Sequence, residues 1–351
     1  MMPATVPVQR PTGARLLVVR EHGRIDHWPR ADFVRLFREG DLVIANDAAT
    51  LPASLRGQHV RSGREIEVRL AGRDSLAQVT RFSAVLFGRG DFRTRTEDRP
   101  LPPPVYPGDR LTLGPLQATV VGLHHHPRLV ALEFEGPPSA IWEGLARHGR
   151  PIQYSHLTQP LALWDTWTPI AGPPVAFEPP SSGFVLDWAT VASLTKHGVR
   201  FATLTHAAGI SSTGDPALDA LLPFDEPYRI PACTAEAIRQ ARELGTRVIA
   251  IGTTVVRALE HAAAIAPIVE AGEAAASQRM DAASRLRIVS AILSGTHEPG
   301  TSHYDMLRAF VDDTTLNRIS HALDEHGYRT HEFGDSVFLE AARHISLRRA
   351  S

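Results

Sequence analysis

The run RVIAIGTTVVRALE at positions 247–260 constrains this chain more than any other. β-Branched apolar residues stop at Gly252, Thr253 and Thr254 follow, and the apolar spacing then turns helical. Such a run is a buried strand feeding a helix N-terminus. Free N–H groups there, with the positive end of the helix dipole, can hold an anion or a polar ligand. A purely structural crossover fits the same residues, so the meaning of the segment depends on its neighbours.

The chain's 351 residues are enough for two or three domains. Its 37 basic and 38 acidic residues nearly cancel, so a basic nucleic-acid-binding surface is not written into the whole chain. A local basic patch is still compatible with that balance. Cys233 is the single cysteine, which excludes an internal disulfide and a cysteine-based metal site and predicts no disulfide-linked partner. No signal peptide and no membrane-spanning apolar run are evident, which predicts a cytoplasmic protein with no membrane partner. The proline-rich first 14 residues read as loose.

Residues 15–50 read strand, helix, strand, with strands at 15–19 and 41–45 and a helix at 32–38. From 54 to 136 short alternating segments follow one another without a helix, at 65–70, 75–82, 117–121 and 129–134. These predict a small barrel or sandwich. After residue 139 helices alternate with strands at 199–205 and 246–251, an α/β signature. The predicted fold is a larger α/β domain, residues 1–53 and 137–351, with a small antiparallel β-barrel, residues 54–136, inserted into it. The alanine-rich stretch 261–283 reads as a prolonged helix and then a loop.

Several segments carry candidate chemistry. His124, His125 and His126 are consecutive, so on a strand they point to opposite faces and cannot converge on one ion. His297 and His303 lack the carboxylate spacing of a zinc motif, and no metal is predicted. His297, beside Glu298 in a loop after an apolar segment, suits a proton carrier, and helix capping by Thr301 or Ser302 is the competing reading. Ser181, Ser182 and Gly183 form a loop before a helix that Asp187 is placed to cap. His206 ends a buried strand, where α/β folds gather ligand sites. The arginine-dense loop Arg89, Arg93, Arg95 and Arg99 also carries Asp91, Glu97 and Asp98, and reads as a solvated loop.

Taken together, these segments resemble the S-adenosylmethionine:tRNA ribosyltransferase-isomerase family of queuosine biosynthesis. GDLVIAND at 40–47 with Leu51-Pro52-Ala53 resembles the family's GDLLVxND and PARLxG segments. GTTVVRALE at 252–260 matches GTTSVRTLE almost residue for residue. Ser294–Pro299 sits where the family has TNFHLP, and His331–Asp335 resembles its YGDAML strand. The chain also departs from the pattern. The family's PTAGLHFT falls on Pro180–Asp187 with Val185 in place of the histidine. Its HxMHSE falls on Leu222–Glu226, losing both histidines and keeping Glu226. Its GWTDLFI is replaced by the alanine-rich stretch near 272–280, and its opening YDLP is absent.

The resemblance implies an α/β domain with an inserted β-barrel, and transfer with isomerisation of the ribosyl part of S-adenosylmethionine (AdoMet). The acceptor is 7-aminomethyl-7-deazaguanine in tRNA, the product is epoxyqueuosine, and adenine and methionine leave. On that reading AdoMet is a co-substrate and tRNA a partner. The Gly252, Thr253 and Thr254 turn and the Ser181–Gly183 loop bind substrate. Asn46 and Asp47 meet a ribose or base edge, and Arg257 pairs with Glu260 or holds the methionine carboxylate. His297, His206 and Glu226 are the acid–base candidates. A small-molecule acceptor, or a silent paralog that only binds, are the alternatives the missing motifs leave open.

Overall fold

The computed structural model describes residues 1–20 and 23–341. Nine strands form one sheet, in the order Gly272–Ala276, Glu226–Ile230, Arg200–His206, Leu42–Asn46, Val248–Ile251, Ala291–Gly295, Ser336–Glu340, Arg15–Val19, Ile25–Pro29. Arg200–His206, Leu42–Asn46, Val248–Ile251 and Ala291–Gly295 run parallel at its centre. Parallel strands are covered on both faces and so need near-continuous apolar runs. Leu42, Val43, Ile44, Ala45, Ile249 and Ala250 accordingly have no exposed surface. Helices Ala232–Leu244, Thr253–Ile265 and Asp313–Glu325 cover one face. The 3-10 turn Arg30–Leu36 and helix Trp188–Lys196 cover the other.

Six antiparallel strands, all lying between Ser54 and Phe134, close into the barrel. Alternate residues such as Leu55, Ile66, Val68, Phe82 and Val120 fill its interior. The α/β sheet and the inserted antiparallel barrel are therefore both present as predicted. Arg99, from the arginine-dense loop, turns inward and meets Glu67 at 2.6 Å, while Arg69 meets the same carboxylate at 2.7 Å. Burial works to raise the Glu67 carboxyl, and the two guanidinium groups overcome it and hold it below its ordinary value. Arg89, Arg93 and Arg95 pair with Glu65, Asp91 and Glu97 at the surface. The histidine run ends in a turn, where His124 touches Ser83 and His126 faces Asp215 instead of sharing an ion.

Four expectations are corrected. The helix expected at 32–38 is a 3-10 turn, Arg30–Leu36, entered from Pro29 and leaving into extended backbone at Phe37. Residues 75–80 form a turn in which the Gln78 side chain accepts from the Thr80 N–H and hydroxyl, and the strand begins at Arg81. Helix Thr253–Ile265 does run into the alanine-rich stretch, but the part expected to cross as a loop contains the strand Gly272–Ala276, paired residue for residue with Glu226–Ile230. The first residues are not loose. Met2–Pro3 pairs with Arg329–Thr330, and Ala4 packs with Leu157, Leu161, Phe184 and Phe333. Gln9 donates to the carbonyls of Asp165 and Trp167, and Arg10 to those of Phe184 and Leu186. No described helix is long and apolar enough to cross a membrane.

Candidate active site

The carboxyl ends of Val248–Ile251 and Ala291–Gly295, with residues 208–212 that follow Arg200–His206, open onto a cavity of about 670 Å³. That end is where an open α/β sheet presents backbone groups to a ligand. Arg95, Thr96 and Glu97, from a barrel loop, line its far side.

Gly252 makes the central turn. Its φ of +98° is a conformation that disfavours a side chain, and a Cβ there would lie 3.2 Å from Cβ of Ser182. The absence of a side chain thus presses the strand–helix turn against the Ser181–Ser182 loop. Thr253 and Thr254 then open the helix Thr253–Ile265, whose first turn has no side-chain cap. Ser181, Ser182, Gly252, Thr253 and Thr254 all line the cavity, with Glu226, Arg257 and His297.

Four of the predicted site residues stand behind the wall. Asn46 clamps two strands: its amide donates to the His206 carbonyl at 2.9 Å, and its oxygen accepts from the N–H groups of His206 and Ala48. Asp47 accepts from the hydroxyls of Thr203 at 3.0 Å and Thr205 at 2.7 Å. Gly183 packs against Thr168. His206 is fully buried, and neither ring nitrogen has a hydrogen-bond partner among the described residues. Its Nε2 lies 3.5 Å from Glu226. Burial drives its pKa down to about 4, outweighing the carboxylate, so the ring is neutral at pH 7.

Glu226 is held by three groups. It accepts the Gly209 N–H at 2.6 Å and a short contact from Arg257, with His206 on its other side. Arg257 also donates to the carbonyls of Gln278 and Phe224. The pairing of Arg257 with Glu260, one of the two alternatives the sequence left open, does not form. Glu260 accepts instead from the backbone N–H groups of Arg287, Ile288 and Val289. His297 contacts the Ser294 hydroxyl at 2.8 Å and stacks on His303 at 5.0 Å between centroids. Burial, then the neighbouring His303 and His331, pushes its pKa well below the ordinary value.

The cavity wall adds residues that sequence reasoning missed. Glu178 accepts the Tyr154 hydroxyl at 2.5 Å. Burial pushes its carboxyl up to about 7, with the charge of Glu332 adding to the rise and hydrogen bonds from Ser211 and Tyr154 opposing it. His156 lies 3.1 Å from Glu332 and stacks on His331, 4.2 Å between centroids. Burial works to raise Glu332, and its bond to His156 outweighs this and holds it below the usual range. His331 adopts φ +68°, the one left-handed non-glycine conformation among the described residues. Tyr154, His156 and Glu178 lie in irregular segments with no periodic signal. The adjacent His331 and Glu332 were a visible acid–base pair, obscured because their segment read as part of a strand.

A model of the queuosine biosynthesis protein family matches residues 2–339 of the chain. The chain belongs to that family. Its relatives include a protein of Sorangium cellulosum named S-adenosylmethionine:tRNA ribosyltransferase-isomerase, 31% identical, with 96% of this chain and 94% of the relative covered. A protein of the same name from Pelobacter propionicus is 28% identical, with 96% of each covered. The crystal structure of S-adenosylmethionine tRNA ribosyltransferase from Thermotoga maritima superposes with a TM-score of 0.50 at 22% identity, covering 96% of both chains, and shows the shared fold. Against the family pattern, the residue in the histidine position, Val185, is buried with Leu186, Ile251 and Leu293 and does not line the cavity.

Proposed function

We propose that this chain is an AdoMet:tRNA ribosyltransferase-isomerase, which moves the ribosyl group of AdoMet onto 7-aminomethyl-7-deazaguanine in tRNA and releases adenine and methionine. The observation that carries this reading is the end-to-end match to relatives of that name. The cavity supports it: its volume suits a nucleoside-sized ligand. The uncapped helix start at Gly252–Thr254 and the serines pressed against it offer donors to the polar groups of AdoMet.

The ribosyl group must lose and regain protons during isomerisation. In this chain the carboxyl poised for that exchange is Glu178, because it faces the cavity without a guanidinium partner among the described residues. Glu226, bound to Arg257 and the Gly209 N–H, serves to fix the cavity floor. His297 and His206, kept neutral by burial, act as hydrogen-bonding and packing groups.

The test is to incubate the protein with AdoMet and tRNA bearing the deazaguanine and to follow adenine. Adenine appearing in step with modified tRNA is the expected result, and tRNA affinity should fall as salt rises. Adenine that never appears, with or without the tRNA, sinks the reading.

A further inference from the structure

We propose that His156, His331 and Glu332, with Glu298 as a fourth donor, form a binding site for a divalent transition-metal ion on the cavity wall. The sequence predicts no metal, because the donors are far apart in the chain: His156 and Glu332 are 176 positions from each other. The fold brings them together. One donor atom from each of His156, His331 and Glu332 lies within 4.8 Å of the other two. His331 Nε2 is 3.9 Å from a Glu298 oxygen. All four residues line the same cavity.

Three observations point to a cation, and to one that binds nitrogen. First, Glu178, Glu298 and Glu332 share this wall, and no described arginine or lysine bridges any of them. Carboxylates grouped with only imidazoles beside them as counter-charges gain from an added positive charge. Second, the set combines two imidazoles with carboxylates, the donor chemistry of zinc and its neighbours and not of magnesium or calcium, which take oxygen. A sulfonium or ammonium ligand would answer the charge but has no use for two imidazole lone pairs. Third, His331 is held with φ +68°, a strained conformation that aims its ring at His156.

The geometry needs a short closure. Tetrahedral donors about 2.1 Å from one ion lie roughly 3.4 Å from each other. The stacked His156 and His331 rings must therefore turn about their side-chain bonds until both lone pairs meet at one point. The His156 Nε2–Glu332 hydrogen bond already brings these two donors to 3.1 Å, and an ion bound by both would displace its proton.

The inference is independent of the AdoMet reading and has its own readout. The full-length protein is stripped with chelator and dialysed against Zn²⁺, with Mg²⁺ as the control ion. One retained zinc per chain is expected, and no retained magnesium. His156→Ala, His331→Asn and Glu332→Gln should each weaken zinc binding at least tenfold with an unchanged circular dichroism spectrum. Asparagine is chosen at position 331 because it tolerates the left-handed backbone. A variant with His124, His125 and His126 all changed to alanine should keep its zinc. Cobalt substitution should give visible d–d absorption that His331→Asn removes. Zinc that is not retained, survives the His156→Ala/His331→Asn double change, or leaves with the surface histidine run overturns the proposal. Adenine release measured separately tells this failure from failure of the transferase reading.

Discussion

Glu178 and Glu226 are two carboxylates in one cavity with opposite surroundings. Glu226 is neutralised by Arg257, while Glu178 has only hydroxyl and N–H partners and sits in low dielectric. Environments that separate two carboxyls in this way divide acid–base work between them. Glu178→Gln keeps the shape and removes the proton exchange, so adenine release should fall roughly 100-fold with the melting temperature unchanged. Activity within a factor of two of the parent would remove Glu178 from the reaction. Gly252→Ala tests the turn: the positive φ and the contact with Ser182 predict a loss of about 1–3 kcal/mol in urea unfolding, together with weaker AdoMet binding by calorimetry. At this scale the sequence was only partly legible. Gly252, Thr253 and Thr254 stand in a dense local motif. Asn46 and Asp47 stand in one too, yet their side chains satisfy backbone and threonine groups behind the wall, and nothing in spacing distinguishes a clamp from a ligand contact. Tyr154 and Glu178 gain their meaning from each other across 24 positions.

Helix Thr253–Ile265 shows how an element positions the site. Val255, Val256, Leu259 and Ala262 recur at helical spacing and bury one face against the sheet. Glu260 then reaches out of the same helix to accept three backbone N–H groups in the segment entering strand Ala291–Gly295. That segment leads on to His297, so the helix that opens at the Gly252 turn also fixes the approach to His297. Glu260→Ala leaves three N–H groups without their acceptor, and a destabilisation of about 3 kcal/mol is expected from the shift in urea midpoint. A shift under 0.5 kcal/mol would mean that water replaces the carboxylate. Elements with strong local signals were legible: three of the four parallel core strands and the 129–134 barrel strand read directly from apolar pattern, while Ala291–Gly295 read only as an apolar segment. Gly272–Ala276 did not, because glycine, glutamate and three alanines carry no strand preference. Its conformation is set by pairing with Glu226–Ile230.

For the whole molecule, the buried imidazoles set the response to acid. Folded His206 titrates near 4, against 6.5 for an unperturbed imidazole. Above pH 6.5 both states are neutral there and the group adds no pH dependence. Between pH 6.5 and 4 the unfolded chain takes up a proton that the folded chain refuses. Each unit of acidification then costs about 1.4 kcal/mol from this group. His297 and His303, lowered by the same burial, act in the same direction. Urea unfolding at pH 7 and pH 5 should show marked acid loss for the parent and a shallower slope for His206→Gln; equal slopes would contradict the assignment. The two-part architecture itself was visible in composition, since a helix-free run of short strands interrupted an alternating α/β pattern. The tying-down of the first ten residues was not, because their partners include residues at positions 157–186 and 329–333.

Strand Arg15–Val19 pairs with Ser336–Glu340, and the Arg15 N–H binds Asp335 across 320 positions. Synthesis therefore delivers one of the first strands long before its neighbour exists. The barrel can assemble from contiguous chain during translation, whereas the main sheet must wait until Ser336–Glu340 has been made. A product cut short of residue 336 would leave Ala291–Gly295 and Arg15–Val19 each with an unpaired edge, a state that invites aggregation or degradation. The strand that joins the two halves of the sheet is thus made some 320 positions after the strand it pairs with, and the sheet closes only once it is present.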